Sequence, residues 1–459
     1  MKIRLLLLSL FTSASVLAEN KPNVLLIIAD DLRDFGGAFT KEVVKTPNLD
    51  RLRARGMTFE RAYVQYPVCN PSRSSMLTGL RAEQTGIVRN DTSLREKLPT
   101  IVTLPQLCKE AGWQAHAFGK VYHLGGGKDP EARQRWMDAG RSWHTAQAFE
   151  ATKTGKKMLA GRDVTGGALN WCAWGAADGS DDDQPDGQIA AATVAKIEEL
   201  GDKPWFIGCG FMKPHDPFIA PKKYFDLYPA GSLKPWKDPA DISLVRNESV
   251  GFGDYGKAFG KFTTVEWSEL LRAYCAATSF MDAQLGRVLD TLDKHGLWDK
   301  TVVIFVGDNG YHTGERQWWN KNTLFERSCR VPLIIAAPGM KGGRTTRSLV
   351  EFIDLYPTVA DFCGLKMPHS GAGTNLLPIL TDPSVTLKDA AFTLVSRGPK
   401  LHGQSIRTDR WRFTLWSDGQ TELYDQEQDP EELHDVSKLH ESVVRDLTAR
   451  IRSLPKLTQ

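Results

Sequence analysis

The chain lacks several features, and each absence removes a class of function. No apolar run beyond the first 18 residues is long enough to cross a bilayer, which takes about 20 residues. Neither sign of charge dominates: 58 Lys and Arg face 55 Asp and Glu in 459 residues. The concentrated basic patch of a nucleic-acid binder is therefore missing. The seven cysteines, at 69, 108, 172, 209, 275, 329 and 363, form no C-x-x-C pair, which argues against a zinc ribbon or thioredoxin-type site. Their odd number leaves one thiol unpaired in an exported protein, and the sequence assigns no disulfides. There are no internal repeats and no low-complexity segment.

What is present begins with an export signal. Lys2 and Arg4 precede the apolar Leu5–Leu10, and Val16-Leu17-Ala18 offers a small-residue cleavage site. The apolar core is too short to span a membrane, so residues 1–18 read as a cleaved signal peptide and the protein as periplasmic or secreted. Beyond it, strands and helices alternate, which predicts an α/β fold with a mostly parallel sheet between helices. Asn23–Ala29 reads as a buried central strand, and Trp113–Phe118, Trp205–Gly210, Thr301–Val306 and Val331–Ala336 as further strands. Ile189–Leu200 and Ser268–His295 read as helices. Gly125–Asp186 and Pro229–Thr264 read as irregular, cleft-shaping stretches, with the acidic run 181–183 in a solvated loop. After about residue 385 the pattern changes to short antiparallel strands, Gln404–Arg407, Arg410–Trp416 and Glu422–Tyr424, then a helix over Ser442–Leu454. This divides the mature chain into a catalytic domain, 19–384, and a small C-terminal α+β subdomain, 385–459.

Chemistry-bearing residues fall where an open α/β sheet builds its sites, just beyond the carboxyl ends of strands. Asp30-Asp31, Gly119-Lys120-Val121-Tyr122-His123, Lys213-Pro214-His215 and Asp308-Asn309 each follow a predicted strand. Val68-Cys69-Asn70-Pro71-Ser72-Arg73 is a loop turning into a helix, with Pro71 suited to the first turn. Cys69 thus sits at a helix N-terminus, where an anion is favoured. Asp30, Asp31, Asp308 and the Asn309 carbonyl form an oxygen set suited to a hard cation, Ca²⁺ or Mg²⁺. Arg73, Lys120 and Lys321 add positive charge where negative charge develops. His123 and His215 carry the side chain that best moves protons near neutral pH.

Cys69-x-Pro71-Ser72-Arg73 with Thr78-Gly79 resembles the signature of the type I sulfatases, and the pairs above match that family residue by residue. The resemblance covers Asn23 to about Asp435. It implies an alkaline-phosphatase-like sandwich and a Cys69 oxidised to formylglycine by a maturation enzyme. Asp30, Asp31, Asp308, Asn309 and modified Cys69 would ligate one Ca²⁺, with Mg²⁺ the other choice. Arg73 would hold the formylglycine, and Lys120 and His123 would stand beside it. His215 would protonate the departing sugar oxygen, Lys321 would bind sulfate, and His123 would take the proton as the sulfated intermediate collapses.

Lys213-Pro214-His215-x-Pro217-Phe218, Asn320-Lys321-Asn322-Thr323-Leu324-Phe325-Glu326 and Glu422-Leu423-Tyr424-Asp425 are similar to the iduronate-2-sulfatase-like branch. Gly314-Glu315-Arg316 departs from the branch pattern Gly-Glu-His. The implied substrate is a sulfated carbohydrate, such as a glycosaminoglycan, with His312, Arg316, Trp318 and Arg95 as candidates to touch it. Arg81, Arg89 and Trp319 are further candidates of the same kind. Phosphomonoester or phosphonate hydrolysis, and sulfated-glycan binding without catalysis, remain alternative readings. The oligomeric state is not readable.

Overall fold

A computed structural model describes residues 21–163, 173–250 and 262–457. The predicted signal peptide and Cys172 lie outside the described residues. The strand Asn23–Asp30 is buried along its whole length, as a strand covered on both faces must be. Trp205–Pro214 and Thr301–Gly307 flank it in parallel. The nine-stranded sheet continues through Gln114–Gly119 and Thr145–Gln147 on one side. On the other it runs through Arg330–Ala336 to Met57–Tyr63, which carries Arg344–Thr346 and Val350–Glu351. Of these, only Arg330–Ala336 runs against its neighbours.

Alternate residues of the central strand feed two apolar layers, because strand side chains point to opposite faces in turn. Leu25, Ile27 and Ala29 meet residues of Pro185–Leu200 and the long helix Thr264–Lys294, including Ile189, Phe280 and Leu285. Val24, Leu26 and Ile28 lie in the other layer with Leu104 and Cys108 of Leu104–Glu110 and Val359 of Leu355–Phe362. The six described cysteines are all buried free thiols.

A separate antiparallel sheet runs in sequence order through Ala391–Ser396, His402–Arg407, Trp411–Trp416 and Thr421–Asp425. The helix Glu441–Arg452 packs Leu447 and Ile451 onto Ile406, Phe413 and Leu423 of this sheet. Among the described residues, no helix is long and apolar enough to cross a membrane.

One expectation is corrected and two are refined. Gly125–Asp186 is not irregular: it holds the helix Pro130–Trp136 and the edge strand Thr145–Gln147. It also supplies Met158–Asp163 and Ala173–Ala177, which join Phe218–Pro221 in a three-stranded sheet. Their Ala- and Gly-rich sequences lack alternation, so the pairing is decided by tertiary contact. The run 181–183 faces solvent, with Asp182 exposed, and is folded as a short 3-10 turn. Asp181 meets Lys223 at 2.8 Å and the Tyr224 hydroxyl at 2.8 Å, and Asp183 accepts from Thr152 at 2.6 Å. Pro229–Thr264 is irregular through its described residues apart from the short turn Asn247–Val250 and the helix that begins at Thr264, and residues 251–261 lie outside the described set.

Candidate functional site

The parallel strands deliver their following residues to one edge of the sheet. Asp30 ends the central strand, and Asp31 leaves it with φ of 61°, a conformation Asp tolerates better than most residues. The turn is held by the Asp31 N–H donating to Asp308 Oδ1 at 2.9 Å and by the Tyr274 hydroxyl donating to the Asp31 carbonyl at 2.6 Å. Glycine makes room beside the site, at Gly119 and Gly307, which end their strands, and at Gly210 within Trp205–Pro214. A Cβ on Gly210 would lie 2.2 Å from the Lys120 carbonyl carbon, so only glycine lets Lys120 approach. The helix Cys69–Thr78 starts from extended Val68 and is buried throughout, which plants Cys69 at its first position.

These elements converge on Cys69. Its Sγ lies 3.3 Å from Asp30 Oδ1, 3.7 Å from Asp31 Oδ1 and 2.9 Å from Lys321 Nζ. Arg73, one helical turn on, reaches Asp308 Oδ2 with Nε at 2.7 Å and Asp30 Oδ1 with Nη2 at 3.1 Å. Lys120 Nζ donates to Asp30 Oδ2 at 2.5 Å, and Lys321 donates to Asp31. Asn309 Nδ2 donates to Asp31 Oδ1 at 2.8 Å. His215 Nε2 stands 3.7 Å from Asp31 Oδ2, while its Nδ1 donates to the Asp216 carbonyl at 2.5 Å. His123 packs edge-on against Trp136, and its Nδ1 is buried without a hydrogen-bond partner.

Three cations and three carboxylates thus share a buried space. Burial alone would raise the carboxyl of Asp30, but Lys120, His215, Arg73 and Lys321 hold it well below its usual range. Asp31 is held down too, against burial, chiefly by Lys321. Burial pushes Asp308 up to about 6 against the pull of Arg73. Burial, reinforced by Asp30, pushes the Cys69 thiol well above its ordinary value. Burial and Lys120 bring His123 down to about 2, so it stays neutral.

Asp31 Oδ2 and Asn309 Oδ1 are buried oxygens with no hydrogen-bond partner. An unsatisfied buried acceptor is costly, and a hard cation satisfies oxygens of this kind. Ligand atoms of Asp30, Asp31, Cys69 and His215 lie within 4.8 Å of one another. The donor set therefore fits a divalent cation on grounds of both chemistry and convergence.

Sequence reasoning missed the props of the His215 loop. Asp186 accepts from the backbone N–H groups of Met212 at 2.8 Å and Lys213 at 3.0 Å. Buried Lys213 donates to the carbonyls of His215 at 3.1 Å and Pro217 at 2.6 Å. Asp186 opens a helix 27 positions upstream of Lys213, and no local pattern marks such a contact.

The substrate candidates each have partners of their own. Arg95 is engaged by Asp138 at 2.8 Å, the Ile101 carbonyl at 2.6 Å and Gln106 at 3.0 Å. Arg316 donates to the carbonyls of Ser243 and Glu432 and lies 4.6 Å over the Phe325 ring. Trp318 is buried and donates to the Lys321 carbonyl at 3.2 Å, bracing the lysine's loop. Trp319 is buried and stacks on Trp267. His312 is buried, bonded to the Thr323 hydroxyl at 2.8 Å and lowered to about 3 by burial. Arg81 pairs with Glu351, and exposed Arg89 with Asp91. Packing, carboxylates and backbone carbonyls claim the donors and rings of these side chains.

The family model described as Sulfatase matches residues 22–365, and one described as N-sulphoglucosamine sulphohydrolase, C-terminal, matches residues 314–456. A sulfatase of Formosa agariphila is 31% identical, covering 90% of this chain and 82% of its own. The iduronate 2-sulfatase of Mus musculus is 30% identical over 76% of this chain and 70% of its own. Among solved structures, the phosphonate monoester hydrolase of Agrobacterium radiobacter superposes with a TM-score of 0.77 at 24% identity, covering 94% of this chain and 95% of its own. A 2-O GAG sulfatase superposes with a TM-score of 0.69 at 20% identity, covering 94% and 91%. At those identities the superpositions establish the fold, an alkaline-phosphatase-like α/β sandwich.

Proposed function

This chain belongs to the sulfatase family, the sulfuric ester hydrolases, and we propose that it removes sulfate from a sulfated carbohydrate, using residue 69 as formylglycine and one bound Ca²⁺ or Mg²⁺. The observation that carries the reading is the ring of Asp30, Asp31, Asp308, Arg73, Lys120 and Lys321 around Cys69, with two oxygens left unsatisfied. Burial, reinforced by Asp30, disfavours the thiolate at Cys69, and the proposal places the nucleophile on an oxidised residue 69. Formylglycine supplies a hydroxyl nucleophile as its hydrate, and the cation supplies charge neutralisation for that hydrate and for the sulfate.

The chain's own residues account for the rest. Asp30, Asp31, Asp308 and the Asn309 carbonyl would hold the cation, and Arg73 fixes Asp30 and Asp308 around residue 69. Lys120 and Lys321 face the negative charge that grows on the sulfate oxygens. His215, partly exposed at the mouth and oriented by the Asp216 carbonyl, gives a proton to the departing sugar oxygen. His123, kept neutral, accepts a proton from the group at residue 69 as sulfate is released.

The relatives' names extend the reading to a uronate 2-O-sulfate among the substrate classes. Export through the N-terminal 18 residues and oxidation of Cys69 by a formylglycine-generating enzyme belong to the same proposal. The phosphonate monoester hydrolase neighbour favours one rival. The test measures the mass of the tryptic peptide Ala62–Arg73 from protein of the native host, then sulfate- and phosphate-ester turnover on the same sample. Formylglycine at residue 69, with sulfate release that stops under a chelator and returns with Ca²⁺ or Mg²⁺, is expected. A plain thiol with tight glycan binding and no sulfate release would replace catalysis by binding. Faster phosphate-ester turnover would replace the substrate class.

A further inference from the structure

A second surface stands beside the catalytic cluster. A cleft of about 1250 Å³ runs between the Cys69 side of the large sheet and the C-terminal sheet, larger than the ~300–1,000 Å³ of an ordinary small-ligand pocket. Its walls include Lys97, Arg397, Arg452 and Lys456, together with Arg89, which is paired with Asp91 at 2.6 Å, and among the described lining residues no aspartate or glutamate. Lys97, Arg452 and Lys456 are exposed. A cleft with cations and no acids selects a polyanion and rejects cationic ligands.

The cleft is tied to the reaction centre through the backbone. Val68 and Asn322 line it, and these precede Cys69 and follow Lys321. The Asn322 N–H donates to the Pro67 carbonyl at 3.0 Å. Arg397 reaches across from the C-terminal side to the Asn322 carbonyl at 2.5 Å and its Oδ1 at 3.2 Å. The Asn70 N–H donates to the Asn90 side chain, also in the wall, at 3.0 Å. Trp416 and Tyr66 reach the lining but are buried, with the Arg246 guanidinium 4.8 Å over the Trp416 ring. Among the described residues, the cleft thus lacks the exposed aromatic platforms on which unpaired bases stack.

We propose that this cleft is an extension subsite that binds the sulfated or carboxylated sugars next to the ring being desulfated, so that the enzyme acts on oligosaccharides rather than on monosaccharides alone. Lys97, Arg452 and Lys456 are its specificity-determining residues. The inference rests on the sulfatase reading, and its test separates the two.

The holoenzyme and its Lys97→Glu/Arg452→Glu/Lys456→Glu variant are compared on a small aryl sulfate and on a hexasaccharide of alternating uronate and sulfated glucosamine. KM for the hexasaccharide is expected to rise about tenfold or more, with kcat/KM for the aryl sulfate within twofold of the parent. The difference is expected to shrink at high salt. Unchanged KM for the hexasaccharide overturns the subsite. If the parent turns over neither substrate, the sulfatase reading has failed. Calorimetric binding of the hexasaccharide, weakened in the variant, then still decides the cleft. Equal or tighter binding of a single-stranded DNA oligonucleotide overturns the assignment of the ligand class. Thermal melting checks the fold, and Lys97→Glu/Lys456→Glu, which spares the helix end at Arg452, repeats the comparison if the triple variant melts early.

Discussion

Glu326→Ala tests what holds the C-terminal sheet against the rest of the molecule. Glu326 is buried and accepts from the Tyr63 hydroxyl at 2.8 Å. It pairs with Arg330 and Arg407, each at 3.4 Å, and with Arg412. Arg407 and Arg412 belong to strands of the C-terminal sheet, so the carboxylate spans two sheets. Burial would raise it, but the three guanidinium groups hold it far below its usual range. Its neighbour Glu432 pairs with Arg412 Nε at 2.7 Å and is pushed by burial up to about 7.

Alanine at 326 leaves the buried guanidinium groups of Arg407 and Arg412 with Glu432 as their remaining nearby carboxylate, while half-buried Arg330 keeps Asp34. Breaking a buried pair in this way costs about 3–5 kcal/mol. Unfolding entropy of about 2.1 cal/mol/K per residue converts that cost into a temperature shift. If the 459 residues unfold together, the melting temperature falls by only about 3–5 °C. If the roughly 60 residues from Ala391 to Arg452 come away alone, their own transition drops by about 20–40 °C. Scanning calorimetry with amide hydrogen exchange separates the cases, the second showing early exchange confined to 391–452. Glu326→Gln keeps the acceptor for Tyr63 and isolates the loss of charge. Melting of the alanine variant within 1 °C of the parent, with unchanged exchange, would refute the claim that this network stabilises the docking.

Two further outcomes are expected. Glu351 accepts from Arg81 at 2.8 Å, Lys388 at 3.0 Å and the Phe392 N–H at 3.0 Å, and these override burial to bring it down to about 2 from 4.5. A depressed carboxyl stabilises above its unfolded value and loses that contribution as pH falls through the folded one. Denaturant titrations of the parent should therefore lose on the order of 3 kcal/mol between about pH 4.5 and pH 2 through this group, a loss that Glu351→Gln does not show. Gly210→Ala puts a Cβ 2.2 Å from the Lys120 backbone, and the forced shift costs about 1–3 kcal/mol. Turnover is expected to fall at least tenfold while circular dichroism stays native. Unimpaired turnover would mean that the position of Lys120 does not depend on that contact.

The sequence by itself determined the parts of the site in which a strand runs straight into its reactive residue. Asp30-Asp31, Lys120 with His123, and Asp308-Asn309 were readable because a buried apolar strand announces its own end, and parallel strands put their ends on one edge. Cys69 and Arg73 were readable because they share one short helix, and a single turn sets their spacing. Tertiary structure alone decided what distant segments do to each other. It brought Lys321 to Cys69 across 252 positions and Asp186 beneath the His215 loop. It set Arg330–Ala336 antiparallel and paired Met57–Tyr63 and Ala391–Ser396, strands with no local signature strong enough to declare them. It also decided the long polar and aromatic side chains. Arg95, Arg316 and Trp318 lie near the motif in sequence or carry the right chemistry, yet a guanidinium or an indole satisfies whichever carboxylate or carbonyl the fold presents first. Local pattern specifies a backbone's path, whereas the partner of a flexible polar side chain exists only once the distant chain has packed beside it.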